Sequence, residues 1–111
     1  MDNKDLCFLG SSKHDIVAFP DDARREVGYQ LGLIQSGEES DDFKPLSEIG
    51  SGVKEIRIHK GNEYRIMYVA KFNKYIYVLH AFVKKQQKTN KSDINLAKDR
   101  YKKIISLRKT L

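Results

Sequence analysis

The sequence predicts an α+β fold, and two observations carry that prediction. Strand-like and helix-like stretches are segregated in the order β-α-α-β-β-β-α rather than alternating. Three consecutive strand-like runs are also separated only by short turns, which gives an antiparallel meander. At 111 residues the chain is expected to form one domain over 1–111 with a single core. Two helices can cover one face of a small, antiparallel-rich sheet.

Leu6–Leu9 is a short apolar run ended by Gly10 and reads as a buried strand. Its Cys7, the only cysteine, allows no internal disulfide and reads as a buried, inert thiol. Ser12 and Asp15 have capping-box spacing, and a short helix runs to about Phe19. Pro20 stops it, because the residue before proline is pushed out of the α region. Pro20 also suits the first turn of a second helix, and Asp21 and Asp22 favour its positive end. Ala23, Val27, Leu31 and Ile34 make one apolar stripe, and Gly37 stands where a helix C′ residue belongs. The second helix is therefore predicted over about Pro20–Ser36.

Glu38–Pro45 reads as an acidic loop, and Gly50, Ser51 and Gly52 as a turn. Val53–His59 is predicted as a strand with Ile56 and Ile58 on one face and Glu55, Arg57 and His59 on the other. Lys60, Gly61 and Asn62 make a hairpin connection. Tyr64–Lys71 follows, with Tyr64, Ile66, Tyr68 and Ala70 opposite Arg65, Met67 and Val69. After Asn73 and Lys74, Tyr75–Val83 is rich in β-branched and aromatic residues. Ile76, Val78, His80 and Phe82 are assigned to one face, and Tyr75, Tyr77, Leu79 and Ala81 to the other. Neither face is polar, which places this strand in the sheet interior. Lys84–Lys91 is a basic loop, and Thr89 or Ser92 caps a final helix. That helix has an apolar stripe of Ile94, Ala97, Tyr101, Ile104 and Ile105. Its basic side is Lys98, Lys102, Lys103, Arg108 and Lys109.

The charge is split along the chain. Residues 1–55 hold six Lys/Arg against twelve Asp/Glu, a net of −6, while residues 56–111 hold fifteen against three, a net of +12. The overall +6 hides a basic half able to hold a polyanion, and nucleic acid is the simplest partner. No secretory leader is evident at the start, and no run approaches the roughly 20 apolar residues of a membrane span. A soluble, cytoplasmic protein with no membrane association is expected. No phosphate-cradling glycine motif, HExxH, EF-hand or GxSxG occurs, and His14, His59 and His80 lack metal-ligand spacing. Neither a metal nor another cofactor is expected.

What remains is a set of cations near strand ends. Arg57 and Lys60 close the first meander strand, Arg65 lies on the second, and Lys84, Lys85 and Lys88 leave the third. Together they can grip phosphates and stabilise the charge of a phosphoryl transition state. Arg57, Lys60, Lys88 and Lys91 are assigned to RNA contacts. Arg65 stands in mid-strand among Tyr64, Ile66, Met67 and Tyr68, where an unpaired cation is costly, so it needs a buried partner or a ligand. His80 is either a satisfied core histidine or a proton carrier. Lys71, Lys74, Lys102 and Lys109 read as a solvated face.

Several segments resemble one known family in order and spacing. Leu9-Gly-Ser-Ser, Phe19-Pro-Asp-Asp, Gly28-Tyr29 and Gln35-Ser36-Gly37 carry the N-terminal half. Lys44-Pro45-Leu46, Glu55-Ile56, Tyr64-Arg65-Ile66-Met67-Tyr68, Lys88-Thr89 and Ala97-Lys98-Asp99-Arg100-Tyr101 continue it. The stretch His80-Ala81-Phe82-Val83-Lys84-Lys85 is the most specific. These residues resemble HigB-like, phage-derived toxins of the RelE/ParE superfamily of type II toxin–antitoxin systems. The resemblance implies a RelE-like fold and a metal-independent, ribosome-dependent mRNA endonuclease (mRNA interferase) that inhibits translation. It implies as partners mRNA, the ribosome and a cognate helix-turn-helix antitoxin, held in a toxin–antitoxin hetero-oligomer. It places the family's strand arginine on Arg65 and its terminal-strand cations on Lys84 and Lys85. Tyr101 falls in a helical stripe rather than on the family's C-terminal tyrosine, so no general base is assigned. A ParE-like gyrase inhibitor without nuclease activity and a non-catalytic RNA-binding module stay open as alternatives.

Overall fold

The apolar stripe Ala23, Val27, Leu31 and Ile34 builds the helix it predicts. In the computed structural model, which describes residues 3–109, that helix is α2, Asp21–Gln35. Its C-terminus closes as a Schellman motif. Gly37, at φ +90°, lets its own N–H reach the Ile34 carbonyl and that of Glu38 reach Leu33 (3.0 and 2.9 Å). The stripe is 0–7% exposed and meets Ile56, Ile58, Tyr64, Ile66, Tyr68, Ile76 and Val78 of the sheet. Burial of each such aliphatic chain contributes about 1.5–3 kcal/mol. The preceding helix α1, Ser12–Val17, packs on the same side. The predicted Ser12 cap does not form. Ser12 is buried and donates to the Val78 carbonyl, and Ser11 takes the cap position, donating to Asp15 (2.9 Å).

Five strands form one sheet in the order β1-β5-β4-β3-β2. They are β1 (Asp5–Phe8), β2 (Phe43–Pro45), β3 (Val53–Lys60), β4 (Asn62–Val69) and β5 (Tyr75–Lys84). β1 runs parallel to β5 and every other pair is antiparallel. The expected α+β, RelE-like arrangement is therefore present, with β5 in the sheet interior, and one strand is added. β2 lies within the stretch read as an acidic loop. It is short, on the edge, and ends on Pro45, which the edge tolerates because no ladder donor is needed outward. Cys7, expected to be buried, is half-buried and free.

Helix α3, Lys91–Lys109, covers the second sheet face with Ala97 and Ile104 against Val53, Met67, Val69 and Leu79. Its cap is Asn90, not Thr89 or Ser92: Asn90 Oδ1 accepts from the Ser92 N–H and Oγ, both at 2.9 Å. Tyr101 donates to the Ser51 carbonyl (3.0 Å) and so ties α3 to the turn before β3.

One irregularity decides where the basic residues go. Tyr68 pairs with Val78 but Met67 pairs with His80, so Leu79 is an extra residue, a β-bulge. The bulge breaks the simple alternation read from the sequence. Ile76 and Val78 face α2, whereas Phe82 joins Tyr77 and Leu79 on the α3 side, and Ala81 faces α2. The Leu79 carbonyl is taken by Arg100 Nη1 at 2.8 Å, a guanidinium only 9% exposed.

Candidate functional site

Directly opposed residues on neighbouring strands share a sheet face. On the α3 side the registers therefore line up three rows. Lys44, Glu55, Met67 and His80 form the first; Arg57, Arg65 and Phe82 the second; His59, Glu63 and Lys84 the third. The bulge at Leu79 puts His80, Phe82 and Lys84 on this side. α3 covers the sheet beyond the first row, and a cavity of about 280 Å³ opens beside it. Its walls include Lys44, Glu55, Arg57, Lys84 and Lys88, with Met67 as apolar floor.

Glu55 is 3% exposed and sits among the cations. Its Oε1 lies 3.8 Å from Arg65 Nε and 3.9 Å from Arg57 Nε. Burial raises its pKa, and Arg65, Lys84, Arg57 and Lys44 oppose that rise. Arg65 is held from its other side: Nη1 donates to the Tyr64 carbonyl (3.0 Å) and Nη2 to Glu63 Oε1 (3.1 Å). Glu63 also meets His59 Nδ1 at 2.7 Å, and His59 Nε2 meets Asp42 Oδ2 at 2.8 Å. With a carboxylate at each nitrogen, the imidazolium satisfies both contacts. The bond to Asp42, then that to Glu63, raises the His59 pKa. The His59 bond, partly opposed by slight desolvation and reinforced by Arg65, lowers that of Glu63. These carboxylates lie on opposite sides of the ring. Among the described residues no three His, Cys, Asp or Glu side chains converge as a metal site.

The residues singled out in the sequence divide accordingly. Arg57, Lys84 and Lys88 line the cavity. Arg65 stands behind it, 6% exposed, and touches it through Glu55; the partner its mid-strand position demanded is a pair of carboxylates. Lys85 is exposed and lines a smaller neighbouring hollow with Lys84 and Lys88. His80 is on the right face but is engaged: Nε2 meets Asp93 of α3 at 2.7 Å, and the ring stacks on Phe82. Lys60 is not brought to the cluster. It is on the α2 face of β3, 3.9 Å from Glu26 of α2. Lys91 opens α3 and is not among the cavity walls.

Two cavity residues were not anticipated. Lys44 was hidden in an apparent loop. From the sequence Glu55 is assigned only to the strand face it shares with Arg57 and His59, with no role in the site. The signal for it was on the neighbouring strand, where Arg65 shares a face with the apolar Met67 and Val69, so that face is not solvent.

Residues 14–102 match the family described as phage-derived protein Gp49-like. The chain belongs to the Gp49-like family. The match runs from α1 through most of α3 and includes every cavity residue named above. This Gp49-like family is associated with RelE- and HigB-like toxins, and the match is compatible with a toxin of a toxin–antitoxin system. No curated protein matches this Gp49-like chain in sequence. Among the described residues no helix is long and apolar enough to cross a membrane.

Proposed function

We propose that this Gp49-like protein is the toxin of a type II toxin–antitoxin system and an endoribonuclease that cuts ribosome-bound mRNA. The observation that carries the reading is the ring of Lys44, Arg57, Lys84 and Lys88 around one cavity whose floor is apolar. A phosphodiester is the ligand such a ring suits: two or three cations neutralise it and stabilise the extra charge of its transition state. RNA brings its own nucleophile, the 2′-hydroxyl beside the phosphate. The protein then has to align that hydroxyl in line with the leaving 5′-oxygen and hold the charge that develops.

Within this reading Arg57 and Lys84 grip the scissile phosphate, and Lys44 and Lys88 the flanking backbone. Arg65, enclosed by Glu55 and Glu63, positions Glu55 instead of meeting the substrate. His80 and Asp93 clamp the first turn of α3 beside the cavity. Lys85, exposed next to Lys84, adds a docking contact with ribosomal or messenger RNA. A cognate antitoxin restrains the activity by forming a hetero-oligomer with the toxin. A gyrase inhibitor has no need of a cation ring around a buried carboxylate.

The product ends test the chemistry. Purified protein added to programmed ribosomes is expected to leave a 5′-hydroxyl on one fragment and a 2′,3′-cyclic phosphate on the other. Fragments with 5′-phosphate ends, or intact message, contradict the reading.

A further inference from the structure

The cavity is under-satisfied in one particular way. Glu55 Oε2, Arg57 Nε and Arg65 Nε are all buried, and none of them makes a hydrogen bond among the described residues. Their mutual approaches of 3.8 and 3.9 Å, through Glu55 Oε1, are too long for hydrogen bonds. Two donors and one acceptor therefore stand unmade around one carboxylate. Buried polar groups are nearly always paired, so such a cluster wants an explanation.

The missing partner has a definite chemistry. It must offer an acceptor oxygen toward Arg57, which lines the cavity, and a hydroxyl donor toward Glu55. A phosphodiester with an adjacent ribose 2′-hydroxyl offers both; the same phosphodiester in DNA has nothing to donate.

We infer that Glu55 is the general base of the cleavage reaction and that, through the same contact, it makes the site selective for ribose. This deepens the nuclease reading and rests on it. Glu55 Oε2 takes the proton of the 2′-hydroxyl as the 2′-oxygen forms its bond to phosphorus. The bond from phosphorus to the 5′-oxygen breaks, and that oxygen leaves with a proton from solvent. Arg57 and Lys84 hold the non-bridging oxygens throughout.

The cavity has a second carboxylate, Glu48, but it is exposed. Burial raises the basicity of Glu55, while the surrounding cations oppose that rise and favour its charged form. Lysine and arginine have no acceptor in their charged forms. Arg65 acts through Glu55 as a positioning residue.

The test follows single-turnover cleavage of a short message on excess programmed ribosomes as a function of pH. Glu55→Gln is expected to slow cleavage about 10²- to 10⁴-fold, the usual worth of a general base. It also removes the first-order fall in rate on the acid side and leaves ribosome binding intact. A Glu55→Gln variant that cuts like wild type overturns the inference. So does one that is slow but keeps the acid limb, because Glu55 is then only a charge partner for Arg65. If Glu55→Gln does not fold, Glu55→Asp serves: a slowed rate whose acid limb moves to a new midpoint supports the base, and an acid limb left where it is in wild type overturns it. A slow Glu48→Gln with that limb missing also transfers the role and overturns it. Wild type that does not cut at all removes the nuclease reading itself, whereas wild type that cuts beside an unaffected Glu55→Gln removes only the base.

Discussion

Arg57 and Arg65 stand directly opposite each other across the β3–β4 ladder, two like charges on one sheet face. Opposed like charges destabilise a strand pair. The structure resolves the conflict by placing Glu55 between them, with one carboxylate oxygen 3.9 and 3.8 Å from their Nε atoms. The carboxylate that readies the cavity for chemistry thus also lets the two strands pair there.

The first prediction concerns that dual role. Glu55→Ala leaves two guanidinium groups facing each other with the carboxylate removed, and Arg65 is 6% exposed. The expected loss is up to about 3–5 kcal/mol, the cost of removing one partner from a buried ion pair. Glu55→Gln keeps the shape and loses less. Urea denaturation at neutral pH reads both. Equal stability of wild type and Glu55→Ala contradicts the account.

Lys84 and Lys85 separate in the second prediction. Lys84 is half-buried in the row with Glu63 and lines the cavity, while Lys85 is exposed outside it. Lys84→Ala should slow single-turnover cleavage about 10²- to 10³-fold, as removal of a transition-state donor does. Lys85→Ala should weaken ribosome binding and flatten its salt dependence by roughly 0.7 in log–log slope, one phosphate contact on single-stranded RNA. Equal losses in both assays for both variants would count against the division.

A third prediction is about pH. The raised pKa of His59 comes from its bonds to Asp42 and Glu63. The imidazolium therefore contributes stability that is fully present below about pH 6.5 and is lost as pH rises through the raised value. His59→Gln should flatten the fall in urea midpoint between about pH 6 and pH 9. Glu55 shifts in the same sense from the ordinary carboxylate value of 4.5, and wild type and His59→Gln share that contribution, so the difference between their slopes reads His59. An unchanged pH slope in His59→Gln contradicts the assignment.

The fourth prediction is structural. Gly10, at φ +54°, lies so close to Arg100 that an added Cβ would come 2.5 Å from Nη2. Gly10→Ala should cost about 1–3 kcal/mol, combining a strained backbone with a forced displacement of the guanidinium. In an Arg100→Ala background the added cost should shrink to the backbone share, a coupling that a double-mutant cycle in urea measures. Full additivity would mean that the two residues do not interlock.

Much of this architecture is legible in the chain, because periodicity and punctuation agree locally. The stripe of α2, its stop at Gly37 and the three meander strands each follow from spacing alone. The failures have physical causes. β2 is three residues long and ends in proline, so its pairing with β3 is a tertiary fact with no local pattern. The bulge at Leu79 is invisible because Tyr75–Val83 is apolar on both faces, and a slipped register leaves the same composition. The candidate site depends on both. The bulge sends Lys84 to the Arg65 side, and β2 brings Lys44 to Glu55. Glu55 itself looks like an ordinary surface residue until the neighbouring strand and α3 bury it. Lys60 failed for the simplest reason: it is one residue out of phase with His59, and that puts it on the other face.

Primer extension on a translated message, after expression of this chain alone, tests the central claim most directly. The account predicts growth arrest with new 5′ ends inside the translated region, and none on a message that ribosomes do not read. Intact message accompanied by trapped gyrase–DNA complexes would contradict it.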